Sequence, residues 1–363
     1  MTSFFRHKIE NAFTIPQKEG KVFEYFLTCI SKLYAIGIWW KNKVQKPPKR
    51  LSCKVISIGN IVVGGTGKTP MTLYIAQMLK AKGFSITIIS RGYEGLAGKQ
   101  GAIVSDGRHF FLTPQEAGDE PYMMAVSLPD VPVLVGRNRY ETGLVAIKKF
   151  NPKVILLDDG FQHQSVCRNV DLVLLDATHP FGNGALLPRG PLRESPAALE
   201  RSTGIVFTRT QAISEEKRKL FSKPSFFCRH VPFLMRIAPE EKMHQEHLKA
   251  SLDSLKGENV TVFSGIARND LFFEEIHQAG ANMQTSMGFK DHYEYAQEDL
   301  SRIMKIGESN RSKWIVTTEK DFARLGFVNP FKIALAVIGI TLDFGPEADQ
   351  FQKFILEKLS LSE

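Results

Sequence analysis

Between Val22 and Trp40 apolar residues recur at helical spacing: Phe23, Phe26, Leu27, Ile30, Leu33, Tyr34 and Ile38 fall on one side, Glu24, Thr28, Ser31 and Lys32 on the other. This spacing predicts an amphipathic helix, which Pro47-Pro48 closes. Beyond it the period shortens to strand-like runs at Val55–Ile58, Ser85–Ser90, Val131–Val135, Val154–Leu157, Asp171–Asp176 and Ile205–Phe207. The run Val154-Ile155-Leu156-Leu157 has no polar alternation, as befits a strand covered on both faces of a parallel sheet. Two short patterns near Ile103 and Phe110, around Asp106-Gly107, predict a surface hairpin. The polar stretch Ser214–Lys223, with strand-like segments near Phe226 and Phe233, reads as a connector. After it come strands Val260–Phe263, Trp314–Thr317 and Ile333–Ile338 and helices Asp270–Gln278, Gln297–Ile306 and Asp349–Leu359. The expected organisation is α/β throughout: a helix and basic linker over 1–50, a mostly parallel-sheet domain over 51–225, and a smaller α/β domain over 226–363.

Composition narrows the setting. A hydrophobic share of 43% over 363 residues is enough for two packed cores. The excess of 47 Lys+Arg over 38 Asp+Glu favours anionic partners, without choosing between nucleotide phosphates, nucleic acid and an acidic membrane face. Cys29, Cys53, Cys167 and Cys228 are widely spaced and form no C-x-x-C pair, which fits a reducing cytosolic compartment. No secretory signal pattern is read at the start. A spanning helix needs about 20 mostly apolar residues, and Lys32 would cost about 2.5 to 3.5 kcal/mol at a bilayer centre. The alternatives for 22–40 are therefore an interfacial helix and a helix packed on the protein's own core. Trp39-Trp40 followed by Lys41, Lys43, Lys46, Lys49 and Arg50 suits the anionic headgroup region.

The chemistry concentrates after the first strand. Val55–Ile58 turns through Gly59-Asn60 into Val63-Gly64-Gly65-Thr66-Gly67-Lys68-Thr69 and a helical pattern, the strand–loop–helix context of a phosphate-binding loop. Gly64, Gly65 and Gly67 would leave the backbone N–H groups open to phosphate oxygens; Lys68 would reach the β- and γ-phosphates, and the Thr69 hydroxyl would hold Mg²⁺. The strict pattern wants glycine at position 62, which is Val62. Asp158-Asp159 closes a buried strand, where such enzymes hold Mg²⁺ directly or through water. Asp119 and Glu120 open a helix, either to satisfy its dipole or to act chemically. Tyr93 follows a strand end, Arg139 opens a helix, and His163 lies in the loop after Asp159. Arg193 and Glu194 end a Gly/Pro-rich loop, where arginine either binds phosphate or is solvated.

Taken together these blocks resemble one family, the tetraacyldisaccharide 4'-kinases. The similarity lies in Ser57–Asn60 leading into Gly64–Pro70, Ser90–Tyr93, Gly118–Pro121, Asp158–His163, Leu187–Glu194, Phe263–Ala267, Asp291–Tyr293 and Thr318–Asp321, running in family order from about residue 25 to 325. The resemblance implies a P-loop NTPase-like kinase that uses ATP and Mg²⁺ to phosphorylate the 4'-hydroxyl of a lipid A disaccharide 1-phosphate precursor. It implies a protein held peripherally at the anionic cytoplasmic face of an inner membrane, with the active site in a cleft between two α/β domains; a monomer is expected. Matching positions make Asp119 and His292 the proton-handling pair; because they fall in different expected domains, domain closure is expected to unite them. Lys68 and Asp159 are the other expected catalytic residues, and Tyr93, Glu120, Arg139, His163, Arg193 and Glu194 are expected near substrate or behind the first layer of contacts. A kinase of another lipid or sugar hydroxyl fits the same residues. A membrane-cycling regulatory ATPase or GTPase fits less: Val63 replaces the early lysine of partition ATPases, and no N-K-x-D guanine reader is present. No nucleic-acid recognition module is visible.

Overall fold

A computed structural model describes residues 21–93, 95–210, 212, 221–241 and 249–360. In chain order the first part runs α1 (Lys21–Val44), β1 (Lys54–Gly59), α2 (Lys68–Ala81), β2 (Ile86–Ser90), β3 (Ala102–Ser105), α3 (Pro114–Ala117), α4 (Asp119–Ser127), β4 (Val133–Val135) and α5 (Arg139–Phe150). It continues with β5 (Val154–Asp158), β6 (Val170–Asp176), β7 (Gly204–Thr208), β8 (Ser225–Phe227), β9 (Arg229–Ile237) and β10 (Lys249–Ala250). The remainder is β11 (Asn259–Ser264), α6 (Asn269–Gln278), β12 (Asn282–Gly288), α7 (Gln297–Ser309), β13 (Trp314–Thr318), α8 (Glu319–Arg324), β14 (Ala334–Asp343) and α9 (Ala348–Ser360). Residues 214–220 of the expected connector lie outside the described residues.

The chain divides into two compact units, neither of them a single stretch. Unit 1 takes Met1–Ser90, Asn138–His230 and Leu342–Glu363; unit 2 takes Arg91–Arg137 and Val231–Thr341. The change at His230 lies near the boundary expected at 225. Arg91–Arg137, however, groups with the later residues, and Leu342 onward with the earlier ones. Pattern and period report local structure, so an excursion that leaves one core and joins another carries no mark of it in the sequence.

Unit 1 carries a wholly parallel run of strands, β2-β5-β1-β6-β7-β8. The non-alternating strands read from sequence are its centre: β1, β5 and β6 bury nearly every residue. A second cluster beneath the β1–α2 loop joins Ile61, Val62, Phe161, Leu192 and Phe207. Val62, the departure from the glycine pattern, is a core residue there, bridged to Leu192. Helix α9 returns late in the chain, stacking Phe351 on Phe344 (4.2 Å between centroids) and setting Phe351 and Phe354 against Phe226.

The apolar stripe of α1 divides. Leu27 and Ser31 are buried; Ser31 Oγ donates to the Leu186 carbonyl (2.9 Å) and the Tyr34 hydroxyl to that of Arg193 (3.1 Å). Tyr25, Phe26, Leu33, Ile36, Trp39 and Trp40 are exposed, because the stripe is wider than the surface it packs on.

Unit 2 holds the antiparallel pair β3–β4 and a sheet ordered β10-β9-β14-β13-β11-β12. In the second of these, β14, β13, β11 and β12 are mutually parallel. The expected hairpin near Phe110 is reduced to a single bridge with Ser105; β3 takes β4 as its partner instead. Strand β12, Asn-Met-Gln-Thr-Ser-Met-Gly, was not expected: as an edge strand it buries little and lacks an apolar signal. The unit's core gathers Leu255, Val260, Val262, Ile276, Val316 and Ala336.

Candidate active site

In unit 1 the strand-to-helix turn between β1 and α2 is rich in glycine that its geometry explains. Ideal Cβ atoms at Gly64 and Gly65 would meet nothing within 4 Å, so the backbone there is open to a ligand. Gly67 caps α2 at φ +86°, and a Cβ on it would lie 2.6 Å from His230 Nε2; both facts demand glycine. The loop is braced from several sides. Asn60 Nδ2 donates to Thr66 Oγ1 (3.0 Å), Gln162 Nε2 to the Asn60 carbonyl (2.7 Å) and Arg209 Nη2 to the Gly65 carbonyl (2.8 Å). Thr69 is buried at the first turn of α2.

The two carboxylates ending β5 part company. Asp158 is buried, accepting from Thr72 Oγ1 at Oδ1 (3.1 Å) and from Ser90 Oγ at Oδ2 (3.2 Å). Asp159 faces the loop: Lys68 Nζ is 3.7 Å away, and Arg193 Nη1 donates to both its oxygens (3.2 and 3.1 Å). Burial pushes the Asp159 carboxyl up, but the Lys68 and Arg193 charges outweigh it and hold the group below the usual carboxylate range. Arg193 arrives there because its loop pairs with the phosphate loop, Val63 N–H bonding the Pro191 carbonyl (2.8 Å) and Arg193 N–H that of Ile61 (2.7 Å). Asp159 itself has φ +48°, a left-handed conformation that turns its side chain out of the strand.

The remaining expected residues of unit 1 bond to the chain itself. Arg139 is buried, with Nη2 donating to the Asp158 carbonyl (3.3 Å), and its backbone N–H donates to His163 Nε2 (3.3 Å). Glu194 is buried and pairs with Arg201 at 2.9 Å, apart from the Asp159 cluster.

Unit 2 assembles a second constellation. Gly118, at φ +93°, lies so close to Tyr93 that a Cβ would meet its carbonyl at 2.7 Å, and α4 starts at the next residue. Asp119 at that start lies 3.7 Å from His292 Nδ1 and accepts from Arg324 Nε at 2.8 Å. The expectation that domain closure unites Asp119 and His292 is thereby corrected: both belong to unit 2, because Arg91–Arg137 folds with the later residues. His292, like Asp159, sits in the left-handed region, at φ +57°. Glu120 is engaged by Lys320 Nζ (3.0 Å). Tyr93 is exposed and lines a cavity of about 330 Å³ together with Arg91, Leu96, Lys99 and Arg137.

Residues beyond the expected set complete both constellations. Arg324 bonds Asp119 and is itself bonded to Asp321, which accepts from Tyr295; Arg209 and His230 flank the glycine loop. Thr318–Asp321 was visible as a block, but Arg324 reads as an ordinary cation in a last helical turn.

The family model "Tetraacyldisaccharide-1-P 4'-kinase" matches residues 23–360. A tetraacyldisaccharide 4'-kinase of Desulfatibacillum aliphaticivorans is 38% identical over 334 residues, covering 92% of this chain and 89% of the relative. One from Syntrophus aciditrophicus (strain SB) is 35% identical over 364 residues, covering 95% of each. The crystal structure of "apo" form LpxK from Aquifex aeolicus in complex with ATP superposes with a TM-score of 0.73 at 30% identity, covering 93% of this chain and 99% of that one.

Proposed function

The chain belongs to the tetraacyldisaccharide 4'-kinase family, and on that premise we propose that it transfers the γ-phosphoryl group of ATP to the 4'-hydroxyl of a lipid A disaccharide 1-phosphate precursor. The observation that carries this reading is the pairing of an open glycine loop and Lys68 with a separate carboxylate–imidazole pair, Asp119 and His292. A phosphoryl transfer to an alcohol needs both: charge stabilisation around the phosphates and an acceptor for the hydroxyl proton.

The open backbone N–H groups at Gly64 and Gly65 and the start of α2 cradle the nucleotide phosphates, and Lys68 answers the charge that spreads over the transferring group. Arg193 adds a second cation beside Asp159. The side chains also suit Mg²⁺, a hard ion that takes one or two carboxylates, a hydroxyl and phosphate oxygens. Asp159 is partly exposed, with Asp158 behind it and Thr69 at the helix start, and these three would hold the ion. Among the described residues no three His, Cys, Asp or Glu side chains converge as an all-protein metal cage, and a site completed by phosphates needs none. When bound, the ion supplies charge neutralisation at the phosphates. Asp119 and His292 take the proton as the sugar oxygen forms its bond to phosphorus and the bond to the departing ADP oxygen breaks.

The setting is the anionic cytoplasmic face of an inner membrane, with the protein peripheral and monomeric. Exposed Phe26, Leu33, Ile36, Trp39 and Trp40 on α1, close to Lys41 and Lys43, support it. Among the described residues no helix is long and apolar enough to cross a membrane. The test is incubation with ATP, Mg²⁺ and the disaccharide 1-phosphate, read by mass spectrometry. One added phosphate at the 4' position is expected; an unchanged acceptor with folded, ATP-binding protein overturns the assignment.

A further inference from the structure

We propose that Arg324 is a positioning residue for the Asp119–His292 pair: its buried guanidinium fixes the Asp119 carboxylate in place and keeps it ionised while the pair accepts the hydroxyl proton. The proposal rests on the kinase reading above and adds to it a residue which that reading does not use.

Arg324 ends α8 with a side chain only 6% exposed. Its Nε donates to Asp119 Oδ2 (2.8 Å), while Nη1 donates to the Gly265 carbonyl (2.7 Å) and to Asp321 Oδ1 (2.8 Å). Three chain segments are thus gathered on one planar group, whose fork geometry leaves little freedom to turn. Asp321 is held in its own right: fully buried, it accepts from Tyr295 OH (2.8 Å) and the Gly265 N–H (3.0 Å) at Oδ1, and from Thr318 Oγ1 (2.6 Å) at Oδ2. Order therefore passes outward, from Asp321 through Arg324 to Asp119.

Within unit 2 one of these bonds has a structural reason: Arg324 is the cation that faces Asp321, a carboxylate with no exposed surface. The bond that sets Arg324 apart is the one to Asp119.

The charged groups around Asp119 define what the arginine does there. His292 lies 3.7 Å away and has Asp291 3.7 Å from its other ring nitrogen, while Lys320 is paired to Glu120. Asp321 offsets part of the Arg324 charge. Burial pushes the Asp119 carboxyl up, and the hydrogen bond from His292 and the charge of Arg324 outweigh it and hold the group below the usual carboxylate range. Asp119 stays an anion across neutral pH and orients the imidazole beside it.

The experiment measures kcat and KM against pH for wild type, Arg324→Gln and Arg324→Lys, with Asp119→Asn and its double variant with Arg324→Gln. Arg324→Gln is expected to lower kcat by about 10- to 100-fold with the KM for ATP unchanged. It should move the acid limb of the kcat profile up by about one pH unit or more. Arg324→Lys should recover part of both. In the Asp119→Asn background, Arg324→Gln should add little further loss. A full multiplicative loss there, or an unmoved acid limb, means a structural role and overturns the proposal. If Arg324→Gln fails to fold, Arg324→Lys decides: it should shift the limb upward by a smaller amount, and no shift overturns the proposal. NMR titration of the His292 ring needs no turnover: in Arg324→Lys or Arg324→Gln its pKa should move from the wild-type value, and an unmoved value also counts against the proposal. Wild type that binds ATP but leaves the disaccharide untouched would defeat the kinase reading, while the titration would still report on Arg324.

Discussion

Asp159 and Asp119 are both partly buried carboxylates bonded to an arginine, yet their surroundings differ in sign. Around Asp159 two cations, Lys68 and Arg193, face one carboxylate, beside a loop of open backbone N–H groups. Positive charge is in excess there, as suits a place that receives phosphates. Around Asp119 the single cation Arg324 is shared with Asp321, and His292 has a carboxylate near each ring nitrogen, Asp119 and Asp291. Carboxylates outnumber the permanent cation there, which favours the uptake of a proton. The chain keeps these two surroundings in separate units, one with cations in excess and the other with carboxylates in excess.

The largest expected effect tests the second region. Asp119→Asn should lower kcat by about 10²–10⁴ with ATP binding intact; His292→Ala should lower it less, and the double variant should be little worse than Asp119→Asn alone. Steady-state kinetics checks this, and an active Asp119→Asn enzyme moves the base elsewhere. Next in size, Lys68→Ala should lower kcat by about 10²–10³ and weaken ATP binding as well. If calorimetry finds ATP affinity untouched in both variants, the contrast between the two regions fails.

A smaller effect separates the units by pH. Burial, reinforced by the Arg209 charge, lowers the pKa of His230 from 6.5 to about 4, so the unfolded chain binds more protons than the native one between those values. Stability from this group is therefore complete above about pH 6.5 and lost as pH falls toward 4. Asp119, lowered by contrast with ordinary carboxylates, keeps its contribution to more acid pH. Melting temperatures from pH 7 to 4 should fall in wild type and flatten in His230→Phe; parallel curves would exclude His230 as the acid-sensitive group. The smallest expected effect is on neither site. Replacing Trp39 and Trp40 by serine should weaken binding to anionic vesicles while ATP affinity holds, and equal vesicle binding would show that the exposed face of α1 serves something else.

The same contrast governs what could be read in advance. The phosphate loop is contiguous, its flanking strand and helix announce themselves by period, and Asp158-Asp159 closes a run of buried apolar residues. Chemistry and sequence are neighbours there. Around Asp119 the partners come from α4, the loop after β11, the stretch Asp291–Tyr295 and α8. Asp321 in a first turn and Arg324 in a last turn look like residues satisfying a helix dipole, and nothing local distinguishes them from that role. His292 and Asp119 were reachable through the family resemblance, but the fold that joins them was not, because no periodicity signals the Arg91–Arg137 excursion. The polar edge strand β12 escaped for a simpler reason: it buries too little to need apolar residues.

The late return of α9 has a consequence for how the protein is made. Phe351 and Phe354 close unit 1 against Phe226 and Phe344, and Glu347 accepts the Phe227 N–H at 2.8 Å. During synthesis the parallel sheet therefore leaves the ribosome with one side of its aromatic core uncovered, and it waits while the whole of Val231–Thr341 is translated. At about 5–20 residues per second that interval is on the order of ten seconds, long compared with the about 10–100 μs of chain collapse. Unit 2, though it interrupts unit 1, has all its segments available first, so the unit that carries Asp119 and His292 can finish folding before the one that carries the glycine loop.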